Sequence, residues 1–244
     1  MASDRMLRWL CWGLAVAAVL AALLQLLLTF NLWAGGPTEP DPQSDLVAHL
    51  EVFRGNDQEI FPIAFGSSLF ALIAFALIGV IGVTLRSRAM SGTGRDAMST
   101  LLAAGSITGV VAMGMAMAIT QVSTFGYCDC GFKTEELIGQ DYAITVGFIM
   151  SAWVFNAAVA LVGFGAWLAG KFVAVSSMWR QVSYAIAVIL IVSIGLRVLA
   201  SYVSFGEIDL FYWTDIVINL TIAVVVPIWA ILLARASGGT EAAA

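Results

Sequence analysis

Histidine is almost missing from this chain of 244 residues. His49 stands alone, which excludes bis-imidazole haem ligation, chlorophyll held by membrane histidines and any His-rich metal centre. Three cysteines are too few to ligate an iron–sulfur cluster without help from another chain. Charge is scarce as well: Asp, Glu, Lys and Arg make up 11% of the residues, where a soluble domain carries about 25%. The motif inventory is equally thin. There is no Gly-rich phosphate loop, Walker sequence, Ser/His/Asp set, His-Glu-x-x-His helix or Cys-x-x-Cys pair. A retinal protein needs seven helices and a buried lysine, and Lys171 falls at a helix end. The basic segments are too short to offer nucleic acid a platform. These absences argue against a catalytic centre.

What fills the chain is hydrocarbon. Apolar residues reach 61%, well above the roughly 45–50% of soluble domains, and they fall in blocks long enough to cross a bilayer, which takes about 20 residues. Six such runs occur, at about 7–34, 60–85, 98–120, 142–170, 181–200 and 213–234. None alternates as a strand would. The expected fold is therefore an all-α integral membrane protein, one membrane domain over 1–244, built as a six-transmembrane-helix bundle with a small extracytoplasmic cap. The first run is too long for the apolar core of a secretion signal and lacks a small-x-small cleavage site before Gly35, so it reads as a retained helix.

Sidedness follows from the basic residues. The N-terminus, 86–97, 171–180 and the tail from Arg235 hold eight of the 11 basic residues and three of the 16 acids, a balance of +5. The opposite segments and adjoining helix ends come to −10, which restores the total of −5. By the positive-inside rule both termini are cytoplasmic, in a cell (plasma) membrane, with loops 35–59, 121–141 and 201–212 facing outward. Trp9, Trp12, Trp33, Trp167, Trp179, Tyr202, Tyr212, Trp213 and Trp229 lie near span ends, where headgroups favour them. Trp153 sits deeper and is expected against another helix or a lipid chain.

Small residues predict the packing, because helices in lipid associate where their backbones can approach. Gly105 and Gly109 form a small-xxx-small pair in the third span, beside Ser106 and Gly114. That helix is expected to be central and most buried, with Met113, Met115 and Met117 filling gaps. The three methionines share no single helical face, which argues against a soft-metal site. Pro227 frees a carbonyl in the sixth span and predicts a bend there.

Ionisable residues inside a membrane are functional candidates by default. Arg197, about 24 Å along the fifth span at about 1.5 Å per residue, and Asp215, at matching depth on the sixth, suggest an ion pair clamping that hairpin or lining an anion site. Asn156 and Asn219 lie nearer the middle, with Gln25, Thr108 and Ser193 as companions, and serve either as interhelical glue or as a polar path. On the outward side, Leu46, Leu50 and Phe53 predict a short amphipathic surface helix after Asp45, with Pro62 opening the second span. Cys128 and Cys130, one residue apart, leave three readings open: a tense local disulfide, a metal site shared with His49, or two thiols that are ordinary or pair with another subunit. Acids spread over the three outer loops read as a solvated surface, with a calcium site or a basic partner as the alternative.

Function is expected to be non-catalytic. The leading reading is an accessory or scaffold subunit of a larger membrane complex, or a module binding lipid or another apolar ligand. The alternative is a small transporter or channel with a polar path near Asn156, Asn219, Arg197 and Asp215. No cofactor is implied, although lipid, quinone or carotenoid needs no histidine to bind. The expected partners are membrane lipids and other membrane subunits or a second copy of the chain.

Overall fold

A computed structural model of the chain describes residues 2–30, 46–125, 134–202 and 210–237. Among the described residues there are long helices and no strand, and six helical segments are long and apolar enough to cross a membrane. The helices are α1 (Ala2–Thr29), α2 (Leu46–Arg86), α3 (Thr93–Phe125), α4 (Thr134–Phe172), α5 (Ser177–Ala200), α6 (Leu210–Leu220) and α7 (Val226–Ala236). A π-helical turn, Thr221–Val225, joins α6 to α7, and the three together form the sixth span. Apart from the prolines, the backbone bonds of each helix interior are internal to it, as a hydrocarbon environment would require.

Two segments depart from the sequence expectation in shape. The amphipathic stretch before the second span is not a separate surface helix. Helix α2 runs unbroken from Leu46, and Pro62 lies inside it, at the start of the apolar part from Ile60. One interior hydrogen bond, to the carbonyl four residues back, is lost there. Residues 46–59 extend the helix about 21 Å beyond the span at 1.5 Å per residue. The second departure lies just before Pro227, where the helix widens into the π-turn: the Val226 amide donates to the Thr221 carbonyl, five residues back. Pro227 has no N–H and its ring crowds the carbonyl of residue 223, so widening the preceding turn relieves the clash.

The helices close into a ring. Each of α1 to α5 packs on its sequence neighbours, and the sixth span packs on both α5 and α1. Glycines set the close approaches. A Cβ on Gly105 would sit 2.9 Å from the Val162 side chain and 3.0 Å from its backbone nitrogen, so α3 and α4 meet backbone to backbone. Gly79 makes room for Ser106, whose hydroxyl donates to the Phe75 carbonyl at 2.6 Å and ties α3 to α2. Gly109 accepts the Phe75 ring.

The third span is nevertheless not the central one. Its principal neighbours are α2 and α4, and 28% of its apolar window is buried, against 50% for the sixth. Small residues bring two neighbours close, but burial on several sides depends on the ring order, which they do not encode.

One end of the ring is packed solid. Leu7, Cys11, Leu85, Met98, Trp179 and Leu233 are fully enclosed there. Trp179 and Trp229, expected at the headgroups, stack inside the bundle with ring centroids 5.5 Å apart. Trp229 Nε1 donates to Ser183 Oγ at 2.8 Å, and that hydroxyl donates to the Trp179 carbonyl at 2.9 Å. The partner held at this end, not the interface, satisfies the Trp229 indole. Trp9, Trp12, Trp153, Trp167 and Trp213 do face outward.

Polar contacts lock the same end. Arg88 pairs with Asp4 and donates to Ser237 Oγ at 3.1 Å, which joins the second span to both ends of the described chain. The Met90 amide donates to the Phe172 carbonyl at 3.0 Å, linking the turn after α2 to the end of α4. Gly92 takes φ 137° in that turn, a conformation other residues rarely adopt. Ser176 caps α5 by accepting from the Trp179 amide at 3.1 Å.

Candidate functional site

Among the described residues, the other end of the ring is hollow. A cavity of about 340 Å³ runs inward from it, and all six spans line it. Its wall is mostly alanine and larger apolar side chains. Phe75 of α2 and Phe155 of α4 meet edge to face across it at 6.0 Å. Gly109 is what allows Phe75 to take this place, because any side chain there would overlap the ring.

The charged groups of the wall lie together, while Gln25, Ser67, Ser68, Thr120 and Ser151 add polar atoms elsewhere on it. Arg197, near the end of α5, pairs with Asp215 of α6 through its terminal nitrogen Nη2. Its Nη1 donates to Asn156 Oδ1 of α4 at 2.9 Å, and its Nε donates to Thr214 Oγ1 at 2.9 Å. Thr214 in turn donates back to the Leu210 carbonyl at 2.6 Å. Asn219, one turn beyond Asp215, donates from Nδ2 to the Asp215 backbone carbonyl at 2.9 Å and to its Oδ2 at 3.3 Å. Three spans thus contribute to a single cluster. A guanidinium carries five fixed donors and needs several acceptors when removed from water. The chain supplies them from one carboxylate, one amide and one hydroxyl.

Exposure within the cluster is uneven. The Arg197 side chain is 8% accessible, whereas Asp215 retains 34%. Both line the cavity, as does Asn219. The cation is largely enclosed by its partners, and the carboxylate is the more accessible of the two charged groups on the wall.

A smaller polar pair completes the wall. Ser67 Oγ of α2 lies 3.1 Å from the Ala21 carbonyl and 3.2 Å from Gln25 Oε1 of α1, so α1 and α2 are also joined at cavity level. Ser193 lies in a separate shallow groove between α5 and α6 that faces outward.

The structure therefore brings Arg197, Asp215, Asn156 and Asn219 together, and it places Gly105 and Gly109 on α3 against α4 and α2. Cys128, Cys130 and the side chain of His49 lie outside the described residues. Among the described residues no group of His, Cys, Asp and Glu could hold a metal, and Cys11 is a buried free thiol. Sequence reasoning missed Thr214 as a ligand of the guanidinium, the joining of Asn156 to Arg197, and the cavity. The donor count of arginine is the signal that could have demanded more than one acceptor.

No family model, curated protein or solved structure matches the chain. The site must carry the functional argument without a relative.

Proposed function

We propose that this polytopic membrane protein is a ligand-holding module, and that its ligand is a lipid or another molecule with an apolar body. The observation that carries this reading is the cavity itself: about 340 Å³, walled mostly by apolar side chains from all six spans, with one charged cluster on its wall. Small-molecule sites have this composition, and their volumes run from about 300 to 1,000 Å³. A scaffold subunit has no need of such a space. Lipid tails would otherwise fill it, because an apolar void forfeits dispersion contacts on every side.

The +5 balance at the packed end supports a cytoplasmic location for both termini, which would put the cavity-bearing end toward the outer face of the cell membrane. A transport role is the second reading. The π-turn favours it, since it begins two residues after Asn219 and π-turns concentrate at functional sites.

Photolysis of a diazirine-bearing alkyl probe in lipid nanodiscs, followed by peptide mapping, tests the holding reading. Adducts on Phe75, Met113 and Phe155 that disappear in Ala71→Phe are expected. Adducts confined to outward residues such as Ile107 and Val188 would contradict it.

A further inference from the structure

We infer that the cavity selects a neutral amphiphile whose head donates hydrogen bonds, namely a long-chain alcohol or an equivalent hydroxyl-headed lipid, over an anionic one. The inference rests on the ligand-holding reading and names the chemistry of the head. The pair Arg197–Asp215 is neutral overall, so neither a cation nor an anion finds an uncompensated opposite charge.

The two halves of the pair do not face the cavity equally. Arg197 is enclosed by Asp215, Asn156 and Thr214, and its side chain is 8% accessible. Asp215 is 34% accessible and, among the described residues, accepts two side-chain hydrogen bonds, from Arg197 and Asn219. A carboxylate has about four acceptor positions, so Asp215 can still take a donor from the cavity. An anionic head would be repelled by the more accessible carboxylate and would find the Arg197 donors already engaged by Asp215, Asn156 and Thr214. A hydroxyl can donate to Asp215 while its chain lies along the apolar wall that Phe75 and Phe155 help to form. A protonated amine could reach the carboxylate too, but it would leave a net positive charge in hydrocarbon surroundings, which is costly.

The test is competition against the diazirine probe by a straight-chain alcohol, the carboxylic acid and the primary amine of equal chain length. It is run in nanodiscs at mildly alkaline pH, where the acid is ionised and the amine protonated. The alcohol is expected to compete about tenfold better than either, a difference of about 1.4 kcal/mol. In Asp215→Asn the Arg197 charge loses its counterion, and the order is expected to invert, with the carboxylate becoming the best competitor. Equal or better competition by the acid or the amine in the unaltered protein overturns the inference and leaves the holding reading standing. Failure of all three to compete, with no saturable probe labelling, overturns both. Should Asp215→Asn not fold, the head-group order in the unaltered protein decides alone.

Discussion

Arg197 is the residue on which most of the hollow end depends. Removing one partner of an ion pair withdrawn from water leaves a stranded charge and costs about 3–5 kcal/mol. Asp215→Ala should fall near the lower bound, because a third of the carboxylate is already accessible, and should be visible as a lower midpoint of thermal unfolding in detergent. Asn156→Ala removes one of three acceptors and should cost less, about 1–2 kcal/mol. Exchanging the two charges, Arg197→Asp with Asp215→Arg, should recover only part of the loss. The relocated guanidinium no longer faces Asn156 and Thr214. Full recovery, measured as yield of folded protein, would mean those two contacts contribute nothing.

The pair itself was legible in the sequence, since Arg197 and Asp215 are the ionisable residues set within the spans at matching depths. Asn156 was visible as a polar group but not as a neighbour. The interval between two non-adjacent residues on different spans carries no information on which faces meet.

Among the elements, glycine divides into positions that are filled by a neighbour and positions that are open. Gly105 faces the backbone of α4 at about contact distance, while a Cβ on Gly114 would meet nothing within 4 Å. Gly105→Ala should therefore separate α3 from α4 and destabilise by about 1–3 kcal/mol. Gly114→Ala should stabilise by about 0.5–1 kcal/mol through helix propensity alone. Unfolding of the two variants in parallel checks both signs. The small-xxx-small spacing identified Gly105 and Gly109 as contact points without naming their partners.

Pro227 was legible as a distortion, but its conversion into a π-turn was not, because a proline can be accommodated by a kink as well. Helix α2 exposes a different limit. The spacing of Leu46, Leu50 and Phe53 predicts a short helix of its own, yet a helix that leaves the hydrocarbon need not stop there, because its backbone bonds itself. Trp179 and Trp229 misled for a related reason: the headgroup preference of tryptophan gives way when another indole and a hydroxyl are available inside the bundle.

On the scale of the whole molecule, six spans could be counted from length and hydropathy because hydrocarbon thickness imposes one length on all of them. Their circular order could not, since outward faces and inward faces are both apolar in lipid and amphipathic patterning fades. The resulting asymmetry, one end packed around Trp179 and Trp229 and the other hollow around Arg197, is the central claim. It is tested most directly by cysteine accessibility in a background lacking native cysteines. A small water-soluble thiol reagent is added to the protein in nanodiscs after single replacements at the hollow end (Ala71, Ala116 and Ala152) and at the packed end (Ala166 and Ala169). The account expects the first three to react at least about tenfold faster than the last two, and to be protected by the competing alcohol. Equal rates at both ends, or faster reaction at Ala166 and Ala169, would contradict it.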